Sequence, residues 1–158
     1  MAWLVHSSDD DKEVMEYMFR NLALILFGAF ALYFLADFLV VYNAHIKIEK
    51  AVEQALDGAI IASTKETDNQ RGRLAINESL AKGATHSILR SNLKLDVTLS
   101  NDFFSDSSLS VSLAYLGTVP RIEAQFDTRV KLVAGKIFGL ESYPLTVKRH
   151  TPYLGEFK

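Results

Sequence analysis

Cysteine is absent from the 158 residues. Disulfide scaffolds and thiolate metal sites are therefore excluded, and the redox compartment is left unmarked. Proline is scarce, with three in the chain, and none interrupts residues 15–63. The eight glycines never fall into GxGxxG or GxxxxGKS/T, so no phosphate-cradling loop is present. The serines form no GxSxG nucleophile elbow. An excess of either charge is missing too: 17 Lys and Arg face 19 Asp and Glu, a net charge of −2. A chain so balanced has no global basic field to draw it to nucleic acid. Its four histidines, His6, His45, His86 and His150, form no i, i+4 pair and no HExxH spacing, so they read as surface or half-buried residues with no metal role.

What the sequence does contain is one long apolar run. Residues 22–41, LALILFGAFALYFLADFLVV, carry a single charge, Asp37. As a helix the run would be about 30 Å long, the thickness of a bilayer hydrocarbon core. A cleaved signal peptide fits poorly, because its apolar core is shorter and its flank basic. Here the flank holds five acids against Lys12 and Arg20, and the only small-x-small candidate, Ala29-Phe30-Ala31, lies inside the run. The run therefore reads as a single-pass anchor. Lys12 and Arg20 on one side balance Lys47 and Lys50 on the other, so basic charge does not orient it. Tyr17 and Tyr42 sit near its ends, as interface aromatics do, and the phenylalanines within it are packing bulk rather than a cofactor box.

Beyond the run the apolar residues become periodic. Ile48, Ala51, Val52, Ala55, Leu56, Ala59 and Ile60 recur at i, i+3, i+4, i+7, i+8, i+11 and i+12, the stripe of an amphipathic helix. This predicts one helix over residues 14–64, long enough to need a membrane or an assembly around it. A polar loop over 65–72 follows, with Asp68 or Asn69 as the cap of a weaker amphipathic helix over 70–90. From residue 93 the period becomes two. Alternation predicts strands over 93–100, 109–115, 121–132 and 143–150, with turn signals at 101–108 and 117–120 and a connector bracketed by Gly135 and Gly139. The expected fold is α+β: a long N-terminal helix, a second helix, then a four-stranded antiparallel sheet covered on one face by the helices. The expected organisation is an acidic tail over 1–21, a transmembrane helix over 22–42 and a single α+β domain with its stem helix over 43–158.

Asp37 is the sharpest single residue. It precedes Ile48 by 11 residues and Ala55 by 18, so at about 100° per residue all three project within about 20° of one line. It thus lies on the protein-facing stripe, where a carboxylate in lipid needs a partner. Two readings stand: a cation on a neighbouring subunit, or water at the membrane interface. The expected helix-packing and assembly residues are Asp37, Val41, Ile48, Ala51, Val52, Ala55 and Leu56. Glu49 and Glu53 read as a solvated face, and Lys148-Arg149-His150 is too small a patch for nucleic acid. Asn77-Glu-Ser79 is a formal glycosylation sequon placed on an expected helix. No nucleophile, base or metal constellation emerges, so no catalytic residue, cofactor or small-molecule substrate is expected.

An apolar helix that continues as an Ala-rich stem, LALILFGAFALYFLADFLVVYNAHIKIEKAVEQALDGAIIAS, followed by a second helix and a terminal sheet, resembles the pilin-like class. More narrowly it resembles the TadE-like pseudopilins of tight-adherence, secretion and conjugation machineries. In organisation the resemblance spans residue 20 to the end. It implies a non-enzymatic, membrane-anchored subunit of a filament or secretion apparatus, partnered by lipid and by itself or related subunits, with its domain extracytoplasmic or in an extracellular filament. It carries over no processing site: Gly28 is followed five residues later by Tyr33, where processed pilins have Glu. The alternative is a bitopic accessory protein in which the helix only anchors and the sheet, through an edge strand such as 143–151, binds a partner.

Overall fold

The computed structural model describes residues 7–64, 76–117 and 119–152. Helix α1, Ser7–Ser63, is a single element of 57 residues, about 85 Å long. It begins earlier than the pattern from residue 14 suggests. Residues 12–36 are exposed, apart from half-buried Asn21. From Asp37 onward one face turns inward. Ala44, Ile48, Ala51, Val52, Ala55, Leu56 and Ala59 are buried, as the stripe requires. The alanines let a second helix approach closely, and Gly58 lies under Ile88, where a Cβ would collide with that side chain.

That second helix, α2, is Glu78–Leu93. The sequence reading starts it at 70, but Ile76 instead bridges to Thr64, and Asn77 is the N-cap. Asn77 Oδ1 accepts the N–H groups of Ser79 and Leu80 at 3.1 and 3.3 Å. A short polar side chain here satisfies donors that have no partner within the helix. The caps expected at Asp68 or Asn69 lie outside the described residues. Ala81, Thr85, Leu89 and Leu93 form the buried face of α2, and Lys94 ends it in the left-handed conformation.

Among the described residues the sheet has three strands, not four. They are β1 (Phe104–Leu116), β2 (Val119–Lys131) and β3 (Ser142–His150), an antiparallel meander in the order β1-β2-β3. The segment 93–100 alternates like a strand but folds as the end of α2 and a tight loop. Asp96 Oδ1 accepts the N–H groups of Thr98 and Ser100 at 2.8 and 2.9 Å, and Asp96 N–H donates to Ser100 O. Leu99 takes a φ of 59°. Local capture by the Asp side chain outweighs the alternation because it closes the turn without any partner strand. Leu95 and Leu99 still reach the core, while Val97 is 78% exposed.

The turn expected over 101–108 is correspondingly shorter. Asn101 Oδ1 accepts the N–H groups of Phe103 and Phe104, and β1 starts directly at Phe104. Asp106, at a φ of 50°, and a register shift between Ser105 and Ser108 mark a bulge. In β2 the alternation holds: Ile122, Ala124, Phe126, Thr128 and Val130 are buried between sheet and helices. The opposite face carries Glu123, Gln125 and Asp127, opposite Ser112, Ser110 and Ser108 on β1 and His150, Lys148 and Thr146 on β3. One face covered and one polar is the arrangement expected for this sheet.

Candidate functional site

The connector between β2 and β3 brings the sheet to α1 at Asp37. Leu132 N–H donates to Glu141 O and closes its base at 3.0 Å. Inside it, Gly135–Phe138 forms one 3-10 turn, ended by Gly139 at a φ of 77°. The N-terminal side of that turn points three backbone N–H groups at Asp37. Val133 and Ala134 donate to Oδ1 at 2.9 and 3.1 Å, and Gly135 donates to Oδ2 at 2.5 Å. Within the chain the partner of this carboxylate is the backbone almost a hundred residues away. Ionised carboxylates suit such donors, and the bonds are stronger than neutral ones.

Gly135 permits this approach. A Cβ there would lie 2.7 Å from Leu140 O, 2.9 Å from Leu132 Cδ1 and 3.3 Å from Asp37 Oδ2. Below the clamp, Phe138 packs on the exposed face of α1. Its ring stacks on Phe34 with centroids 5.3 Å apart and is tilted against Phe30 at 5.7 Å. Ala134 is buried and Leu132 half-buried, whereas Val133, Ile137 and Leu140 are 76%, 68% and 57% exposed.

A second tie joins the sheet to the stem. Arg149 of β3 pairs with Glu49 and reaches Glu53 Oε1 at 3.1 Å. Glu49 and Glu53, read from the sequence as a solvated face, are thus the anchor points of an edge strand. Helical spacing placed them off the apolar stripe; the docking of β3 brings Arg149 to both of them. His45 Nε2 lies 3.9 Å from Glu49.

Of the residues expected to mediate assembly, Ile48, Ala51, Val52, Ala55 and Leu56 are buried in the chain's own core, and Val41 is half-buried. Asp37 is buried against the connector. The face left uncovered on α1 lies lower, over residues 12–36. Among the described residues no group of three or more His, Cys, Asp or Glu is placed to hold a metal ion. An apolar hollow between Met15 and Ile25 is lined by α1 alone, and a polar one is lined by His86, Ser87, Arg90, Ser91, Lys94 and Leu95 near the end of α2. Among the described residues one helix, near the N-terminus, is long and apolar enough to cross a membrane. No protein-family model, curated protein or solved structure matches this chain.

Proposed function

We propose that this protein is a non-enzymatic, membrane-anchored subunit of pilin-like plan, which assembles with copies of itself or related subunits through the lower half of α1. The observation that carries the reading is the division of that helix. One face of its upper half packs into the domain core, whereas residues 22–36 present an uncharged, exposed apolar surface to whatever surrounds them. In lipid or in a filament interior such a helix associates by side-chain packing. The junction at Asp37 supports the same reading, because its three backbone hydrogen bonds tie the sheet to the helix.

The cysteine-free sequence makes the test direct. Single cysteines at Leu24, Ile25, Leu26 and Phe27, about 100° apart in turn, sample the faces of the helix within the apolar run. Oxidation in the native membrane is expected to give disulfide-linked dimers at one or two adjacent faces. Monomer at all four positions, with the protein membrane-extracted only by detergent, would overturn self-assembly.

An adaptor is the second reading, favoured by the open edges of the sheet: neither β1 nor β3 has a further strand beside it among the described residues. An edge can take a partner strand in extended conformation. Partner capture by a protein cross-linking at no helix position would favour it.

A further inference from the structure

We propose that the β2–β3 connector is a second membrane-inserting element, whose Val133, Ile137, Phe138 and Leu140 enter the leaflet beside α1. The inference rests on the reading of residues 22–41 as a membrane span. Its physical basis is depth. Phe138 touches Phe34 and Phe30, which lie within that span, three and seven residues before Asp37. At 1.5 Å per residue these positions are about 5 and 10 Å below Asp37 along the helix. A ring held against Phe30 and Phe34 shares their surroundings. If those phenylalanines meet acyl chains, so does the connector.

The chemistry of the connector fits that environment. From Leu132 to Leu140 its only charged residue is Lys136, whose long apolar stem lets an ammonium reach the headgroups. Non-helical backbone survives at membrane depth only where its polar groups are paired within the protein. Here the N–H groups of Val133, Ala134 and Gly135 are taken by Asp37. Those of Ile137, Gly139 and Leu140 go to Ala134 O, Lys136 O and Gly135 O. Asp37 is thereby explained as an intramembrane carboxylate: it neutralises the donors of a loop that has no water to bond with. Tyr143, half exposed just beyond the connector, stands where an interface aromatic belongs. Elsewhere a strongly exposed apolar side chain such as Val97 stands alone between Asp96 and Thr98, so exposure by itself does not single out the connector; continuity with the span does.

The test uses the full chain in phosphatidylcholine vesicles, with an environment-sensitive NBD dye on a single cysteine at Ile137, at Val97 or at Leu26. Dye at Ile137 is expected to show blue-shifted emission, severalfold weaker quenching by aqueous iodide than dye at Val97, and strong quenching by a lipid with a doxyl group on its acyl chain. Dye at Leu26 should behave likewise. If Leu26 is lipid-quenched but Ile137 is as iodide-accessible as Val97, the connector does not insert and the span reading survives. If Leu26 itself is aqueous, the span reading falls and the proposal falls with it. Dye at Ile137 that is shielded from iodide, unaffected by doxyl lipid, and matched by disulfide dimers of the unlabelled Ile137→Cys protein would mean that a second copy covers the connector, which overturns insertion into lipid.

Discussion

Asp37 is where sequence and structure meet most informatively. Its helical phase identified it as inward-facing, and it is inward-facing. Its partner was not legible, because backbone N–H groups leave no mark on sequence and Gly135 is one glycine among eight. Replacing Asp37 with Ala strands three donors in an apolar setting, with an expected loss of about 2–4 kcal/mol. Asp37→Asn should cost less, because one amide oxygen can still serve Val133 and Ala134 while its NH2 opposes Gly135. Thermal unfolding in detergent, together with amide exchange at Val133, Ala134 and Gly135, separates the two; equal stability of wild type and Asp37→Ala would refute the clamp. Gly135→Ala is expected to lose about 1–3 kcal/mol, since the new Cβ meets a backbone oxygen that cannot step aside. Gly28→Ala is the contrast: nothing lies within 4 Å, and removing a helical glycine should be neutral or stabilising by up to about 1 kcal/mol.

Among the elements, α1 was legible because its apolar stripe persists over many turns, and β2 because its alternation is unbroken. The 93–100 segment shows the limit of periodicity. Leu93, Leu95 and Leu99 are buried as the alternation suggested, but through a helix end and a turn rather than a strand. An Asp in the middle offered the backbone a local partner that a period-two pattern does not register. The hydroxyl of Thr98, then the amide of Ser100, hold the Asp96 carboxyl below its usual range. A lowered folded-state pKa means stability that is present above the unfolded value near ~3.9 and lost as pH falls through the folded one. Protection of the Thr98 and Ser100 amides, measured against their intrinsic exchange rates at each pH, should therefore fall on acidification, and Asp96→Asn should remove most of that pH dependence. Glu123, held low by its bond from Arg121, follows the same sign. The tie from β3 to the stem is weaker. Arg149 and its two acids are partly exposed, so a double-mutant cycle between Arg149→Ala and Glu53→Ala should give a coupling of about 0.2–1 kcal/mol that shrinks with salt.

For the whole molecule, the exposed lower part of α1 and the domain are continuous because one helix belongs to both. This predicts an asymmetry between two truncations. A fragment beginning at Tyr33 keeps Asp37 and Phe34, and its connector should resist proteolysis between Leu132 and Glu141. A fragment beginning at Ala44 retains the buried stem residues and the sheet but loses the clamp, and it should be cut there much faster while its core stays folded. Limited proteolysis followed by mass spectrometry reads both, and equal cutting would show that the connector is ordered without Asp37. The sequence by itself determined the elements whose cause is local or periodic: the apolar run, the stem stripe, the inward face of β2 and the α+β class. It also supplied the phase that turns Asp37 toward protein. Tertiary structure alone decided that the sheet has three described strands, that the stem face is filled by the chain's own core, and that Asp37 and Glu49 find their partners in the β2–β3 connector and on β3. Those contacts join residues about a hundred positions apart, and they exist only once the meander is laid against the helix.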